Sequence, residues 1–221
     1  MELRNKINKE ELKQRMRESS EERKTISFYQ YAKIGNPDLF RDHLYLQLSE
    51  IGVFGRIYVA NEGINGQMSL PAKNLDLLKE TLDKITFLKG IRLNIAVDDD
   101  GKSFYKLKIQ VKKKILADGL EDETFDVTNK GKHLSAEEFN KLAEDPNTVI
   151  LDMRNHYETE IGHFENAICP DVDTFRHSLP IIEEILRPHQ DKNIVMYCTG
   201  GIRCEKASAY YKHRGFEKVH Q

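Results

Sequence analysis

Residues 194–206 read IVMYCTGGIRCEK. A short apolar run, Ile194 to Tyr197, leads straight into Cys198. Gly200 and Gly201 come next, and then a stretch compatible with a helix over 202–214, closed by Gly215. Such a run reads as a strand buried on both faces, as in a parallel sheet. A strand that passes through a glycine turn into a helix places the joining residues at the carboxyl edge of the sheet, where α/β proteins bind ligands. Cys198 is therefore expected at a helix N-terminus, where the backbone N–H groups of Thr199, Gly200, Gly201, Ile202 and Arg203 form an anion cradle around its sulfur. The two glycines admit the unusual backbone angles that such a cradle uses. The helix dipole and Arg203 both favour negative charge on the sulfur, and such effects lower a thiol pKa from about 8.5 to roughly 3.5–7.5. A thiolate held this way is a nucleophile, and the same N–H groups would stabilise an oxyanion or persulfide formed on it. A buried structural cysteine is the competing reading, but that role needs neither a double glycine nor an arginine in the first helical turn.

The surrounding residues extend the same pattern. Ser135 to Glu138 is a capping box opening a helix. Thr148 to Asp152, TVILD, is a second buried strand, a helix is expected around 174–187, and Val219 begins a further strand. Strands alternating with helices over 134–221 imply an α/β domain with a parallel sheet.

The first half is organised differently. Residues 1–24 are almost all polar and read as a solvated, partly helical arm. TISFYQYAKI over 25–34 reads as a strand. Asn36 and Pro37 mark the start of a helix carrying Phe40, Leu44, Leu48 and Ile51, which stops at Gly52. A strand follows over 53–60, then a glycine turn holding Gly63 and Gly66, and a short strand over 67–71. A helix over about 74–85 and a strand from Ile91 to Val97 complete a β-α-β-β-α-β order, the α+β ferredoxin-like arrangement, within a domain expected over 25–114. In the last stretch, Tyr105, Leu107, Ile109 and Val111 alternate with Lys106, Lys108, Gln110 and Lys112, and Lys113 and Lys114 extend the charge. This is a strand with one lysine-rich face. It is either an edge guarded against aggregation or a surface for a phosphate backbone flanked by Phe104 and Tyr105. Residues 115–133 read as the connection between domains.

Composition narrows the function classes. The chain has 221 residues, 39% hydrophobic and 32% charged, with a net charge of −2, which is a globular composition with no global affinity for polyanions. No apolar run reaches the roughly 20 residues of a membrane span. The N-terminus lacks the apolar core of a secretory signal, and three cysteines do not form a paired framework, so a cytoplasmic location is expected. The eight histidines form no ligand set with a carboxylate, and there is no dinucleotide glycine motif, so neither a metal nor another cofactor is evident.

Cys198, Gly201 and Arg203 resemble the rhodanese loop Cys-x-x-Gly-x-Arg. Asp152 and Arg154 resemble the Asp-x-Arg after the first rhodanese strand, and 162–167 resembles its Gly-His-x-x-Gly-Ala turn with Asn166 in place of the second glycine. A cysteine phosphatase would place arginine at 204, where this chain has Cys204. Together with 25–29, 60–65, 92–96, 98–104 and 197–208, these motifs are similar to the bacterial tRNA uridine 34-hydroxylase family, over roughly 25–220. That resemblance implies an acylphosphatase-like domain followed by a rhodanese domain. It also implies oxygen-dependent conversion of the wobble uridine to 5-hydroxyuridine, the tRNA anticodon loop as partner, an unidentified electron donor, and Cys198 as the active, persulfide-type cysteine. Family members continue beyond this point, so the rhodanese domain at 134–221 is expected to be short at its C-terminal end.

Cys198 and Arg203 are the expected catalytic pair, with Cys204, Asp152 and Arg154 as accessory candidates. Cys204 would either resolve an oxidised Cys198 or simply pack, and Arg203 would either stabilise the anion or form a salt bridge to a helix neighbour. Cys169 is expected to be structural and His163 a locally bonded turn residue. Asn61, Glu62 and Asn65 would form a turn or touch a base or phosphate. Lys106, Lys108, Lys112, Lys113 and Lys114 are the expected tRNA contacts. Cys198 would act either by adding to C6 of the uracil ring or by carrying a persulfide without touching the base. A plain thiosulfate sulfurtransferase and a non-catalytic RNA- or protein-binding module are the competing functions.

Overall fold

The computed structural model describes residues 7–121 and 124–221, and the chain divides into a unit ending at Ile115 and a second unit, Leu116–Gln221. The first six residues of the expected arm lie outside the described residues. Beyond them the arm is less solvated than its composition suggests. Helix α1 (Lys9–Glu18) is capped by Asn8 and buries Leu12 and Met16, two apolar side chains one helical turn apart.

The first unit is a five-stranded sheet. Strand β1 (Arg23–Tyr31) leads into helix α2 (Pro37–Ile51), whose first turn is capped by the Asn36 side chain and whose last ends on Gly52 in the left-handed region, φ 78°. Strands β2 (Phe54–Ala60) and β3 (Gly63–Pro71) form a hairpin. Helix α3 (Leu75–Asp83), a two-residue strand β4 (Asn94–Ile95) and β5 (Leu107–Val111) follow. The strand order is β4-β1-β3-β2-β5, with β5 parallel to β2 and the other pairs antiparallel. One face of this sheet, with Ile26, Phe28, Ile57, Ile64, Met68 and Ile109, forms a core with Leu44 and Leu48 of α2 and Leu78 and Leu82 of α3.

Two expectations need correction. The glycine turn is shorter than expected, because Gly63 and Gly66 both belong to β3. Gly63 is needed for close approach: at φ 147° its backbone lies against Gln30, and a Cβ there would sit 2.1 Å from the Gln30 carbonyl oxygen. The strand expected over Ile91–Val97 is only Asn94–Ile95. The alternation there does not separate core from solvent, since Ile95 and Val97 are both exposed. Asp98 then turns the chain with a positive φ of 56°.

The second unit holds a parallel sheet ordered β6-β7-β8, from β6 (Thr148–Asp152), β7 (Asn193–Tyr197) and β8 (Val219–His220). Helix α4 (Ala136–Ala143) opens with the Ser135–Glu138 capping box. A short helix α5 (His156–Thr159), helix α6 (Phe175–Leu186) and helix α7 (Ile202–His213) complete it. The stretch read as a connection, 115–133, contributes packing: Leu116, Leu120 and Phe125 lie against the second core, and Val127 and Asp118 are buried. Asp118 forms a 2.7 Å ion pair with Lys206 of α7, both side chains almost fully buried.

A buried pair of this kind fixes α7, the helix that follows Cys198. Replacing Lys206 by Met leaves the Asp118 carboxylate without that partner, and such losses destabilise a fold by about 3–5 kcal/mol. Urea unfolding of K206M should show that loss, and the double variant with Asp118→Leu should regain much of it.

Candidate active site

Cys198 lies one residue beyond the end of β7, and Gly201 is the N-cap of α7. Gly201 is held at φ 87°, a conformation that favours glycine. That turn directs its own N–H at the Cys198 sulfur, 3.1 Å away. Gly200 needs no such freedom, because its φ is not positive and a Cβ there would meet open space. Of the two expected cradle glycines, the geometry therefore requires Gly201.

The half-buried Cys198 thiol is pulled down to about 6. The main cause is a hydrogen bond from the Cys204 thiol, opposed by burial and reinforced by the Cys204 backbone N–H, the Arg203 charge and the Gly201 N–H. Cys204 is buried, and burial first, then the neighbouring Cys198, raises its own pKa well above the ordinary value. It therefore remains a protonated donor while Cys198 ionises. A packed cysteine and a functional one are separate readings of Cys204 in the sequence; the structure combines packing with hydrogen bonding to the sulfur.

Arg203 does not aim its whole guanidinium at the sulfur. Its two terminal nitrogens grip Glu158 at 2.7 and 2.8 Å, and one also lies 3.2 Å from Thr199 Oγ1. Thr199 donates its hydroxyl to the same Glu158 at 2.6 Å. The ion-pair partner thus comes from α5, not from α7, and Arg203 also acts on the sulfur, through its charge and a side-chain hydrogen bond. The Arg203 hydrogen bonds in turn hold Glu158 at about 2, so it is ionised across the physiological range. Glu158 is the functional residue that sequence reasoning missed. Its signal is faint: Asn155 and Glu158 form a capping box on a four-residue helix, a pattern that reads as helix chemistry alone.

Asp152 and Arg154 form a brace beside this loop. The buried Asp152 carboxylate accepts from Arg154 Nε at 3.0 Å and from the terminal nitrogen at 2.7 Å. It also accepts from the Tyr197 hydroxyl at 2.6 Å. Arg154 continues to the Gly162 carbonyl at 2.6 Å. The pair ties the end of β6 to the residue preceding Cys198 and to the 162–167 turn. In that turn Asn166 has φ 60°, so it takes up the left-handed conformation where the resemblance placed a glycine. His163 Nδ1 is 3.2 Å from the Thr159 carbonyl oxygen, a local contact. Cys169 is half-buried and burial raises its pKa.

The residues of the first unit fall into two groups. Asn61 donates to the Ile34 carbonyl, Asn65 to the Ile115 carbonyl, and Glu62 accepts from the Ile115 N–H, so these three hold backbone. Lys108, Lys112 and Lys113 are exposed and Lys106 and Lys114 half-buried; Lys106 precedes β5, the edge strand, Lys108 lies on it and the other three follow it. Among the described residues no cluster of His, Cys, Asp and Glu has the geometry of a metal site, and no described helix is long and apolar enough to cross a membrane.

In the alkylation of Cys198 by iodoacetamide, the rate should rise with the thiolate fraction and reach half its plateau near pH 6. Cys204→Ala removes the leading donor and should move that midpoint towards the ordinary thiol range. Glu158→Gln frees the Arg203 fork, and its signature should be a changed midpoint in the same titration with the fold intact by circular dichroism.

Residues 23–115 match the family model of a UPF0176 acylphosphatase-like domain, and residues 135–221 that of a rhodanese-like domain. Two curated relatives, from Photorhabdus laumondii and Leptospira interrogans, are each 54% identical over 219 residues, 99% of this chain, and each is named tRNA uridine(34) hydroxylase. The chain spans 62% and 60% of their respective lengths. A rhodanese-like domain protein from Staphylococcus aureus, of known structure, is 27% identical and aligns with 40% of this chain and 81% of its own, at a TM-score of 0.33. The fold assignment rests on the two family models and the parallel sheet of the second unit. The chain is similar in sequence to relatives named tRNA uridine(34) hydroxylase, and it carries, in this order, an acylphosphatase-like and a rhodanese-like domain.

Proposed function

We propose that this chain supplies the thiolate centre and part of the RNA surface of an oxidoreductase that converts uridine 34 of tRNA to 5-hydroxyuridine with molecular oxygen. The observation that carries this reading is the alignment of 99% of the chain with relatives of that name. The Cys198 thiolate with the Gly201 N–H at 3.1 Å supplies the chemistry. Cys198 is the nucleophile, and Arg203, Cys204 and Gly201 keep it anionic. Thr199, Gly200 and Ile202 shape the turn, while Asp152 and Arg154 position it.

In this mechanism the thiolate adds to C6 of the uracil ring, and the displaced electron pair is delocalised from C5 into the C4 carbonyl. C5 adds oxygen, and the resulting peroxide anion takes a proton from solvent to become a hydroperoxide. An external reductant delivers two electrons and two protons, giving the C5 alcohol and water. Loss of the C5 proton and expulsion of the thiolate restore the double bond. A thiolate with a depressed pKa is a good leaving group as well as a nucleophile, so the same surroundings assist the first and last steps. A wobble base is unpaired in the free anticodon loop, so drawing it out costs less than extrusion from a duplex. Lys106, Lys108, Lys112, Lys113 and Lys114 contact its phosphates, and the reaction belongs to the cytoplasm, where tRNA is matured.

The rhodanese-like match also favours a sulfurtransferase in which Cys198 carries a persulfide. The decisive measurement is nucleoside mass spectrometry of tRNA from cells lacking the full-length gene and any redundant enzyme. Wild type should restore 5-hydroxyuridine and Cys198→Ala should not. Restoration by the alanine variant, or thiosulfate:cyanide turnover with unchanged tRNA nucleosides, would transfer the assignment to sulfur chemistry or to binding alone.

A further inference from the structure

We propose that the open face of the five-stranded sheet is a single-stranded RNA platform that holds loop nucleotides by base stacking and phosphate neutralisation. The inference rests on the tRNA reading and assigns it a surface.

The register gives the order of side chains on this face. One row across the strands runs Asn94, Ser27, Gln67, Arg56 and Lys108. The next runs Tyr29, Asn65, Tyr58 and Gln110. Side chains alternate across a sheet, and the opposite face, with Ile26, Ile57, Ile64 and Ile109, is the one buried under α2 and α3. Arg56, Gln67 and Lys108 are exposed. The Lys112 ammonium stands 5.5 Å from the Tyr58 ring centroid. Towards β4 the face deepens into a trough of about 300 Å³, where Ser27, Gln67 and Asn94 stand beside Ile95, Ala96 and Phe104.

The chemistry of these rows selects the occupant. An apolar partner would need apolar side chains, and these rows hold amides, hydroxyls, cations and tyrosine rings. Asn65 is tied to the Ile115 carbonyl, but the other amides and the hydroxyls bond base edges, rings stack on bases of any sequence, and cations neutralise phosphates. Neither row contains a carboxylate. The acidic run Asp98–Asp100 lies beyond the trough, past β4, and the cations collect towards β5, so the face is polarised and a polyanion is drawn to the β5 side. Edge protection accounts for lysines on β5, but not for Arg56 and Tyr58 on β2 or Gln67 on β3, strands that are paired on both sides.

The test is fluorescence anisotropy of the whole chain with an anticodon stem-loop RNA, alongside ultraviolet crosslinking of the same RNA carrying 5-bromouridine in the loop. Tyr58→Ala should weaken binding about five- to a hundred-fold, and Tyr58→Phe, which keeps the ring, should restore it. Arg56→Gln with Lys108→Gln should reduce the slope of log K against log salt by about 1.4, or about 0.7 for each phosphate that is no longer neutralised. Crosslinks should map to Tyr58 or Phe104. Unchanged Cys198 alkylation and an unchanged melting curve would show that the variants fold. Undiminished affinity and slope in the variants, crosslinks confined to other residues, or absence of RNA binding by the chain would each overturn the platform. The nucleoside assay judges the hydroxylase reading separately: 5-hydroxyuridine that depends on Cys198 while the sheet variants bind normally rejects the platform alone, and RNA held by the sheet without any such dependence rejects the hydroxylase alone.

Discussion

The 3.1 Å hydrogen bond from the Gly201 N–H to the Cys198 sulfur exists because one residue turns the chain into the left-handed region between a buried strand and a buried helix. The other interactions at the sulfur depend on that turn. It sets where α7 begins, and so brings the thiol and backbone N–H of Cys204 and the charge of Arg203 to the sulfur. Both ends of the turn are fixed by burial. Val195 and Met196 anchor the strand in the sheet, and Lys206, paired with Asp118, anchors the helix. A helix N-terminus over a sheet edge is a general anion site; the packing on both sides gives this one a fixed place.

Much of this is legible in the sequence, because the signals are local and physically specific. Asn36-Pro37 and Ser135 to Glu138 mark helix starts through hydrogen bonds to orphan N–H groups, and both starts are where those residues place them. The Cys198 to Arg203 segment encodes its strand, turn and helix within a few residues. What escapes is information held between distant segments. Glu158 lies 45 positions from Arg203, and nothing near it in the chain says that a guanidinium will arrive. The extent of β4 is overstated by the sequence because alternation at Ile91–Val97 records β propensity without saying whether a partner strand is there. The role of Gly66 is hidden because a glycine inside a strand is indistinguishable in sequence from one in a turn; its place opposite the Phe28 ring is a property of the folded sheet.

The two units treat polar residues differently. In the second, Asp152, Arg154, Glu158 and Arg203 are drawn inward and fully engaged, and they give rigidity around one sulfur. In the first, Arg56, Gln67 and Lys108 line an exposed face whose reverse is a continuous apolar core. A chain with a net charge of only −2 can therefore carry a locally cationic surface. The overall balance hides that surface, and the strand register reveals it.

The Cys198 sulfur also couples ionisation to folding. An unfolded chain has none of the interactions that depress this thiol, so there it titrates near the ordinary value of 9, against about 6 when folded. A depressed acid binds its proton less tightly in the native state, and the native state gains from its ionisation. That gain is complete above about pH 9 and is lost as the pH falls through about 6. Across neutral pH the reactive anion is thus largely a property of the folded molecule. A nascent or opened chain exposes a mostly protonated thiol, and nucleophilic strength appears only once the turn, the helix and the arginine have closed around it.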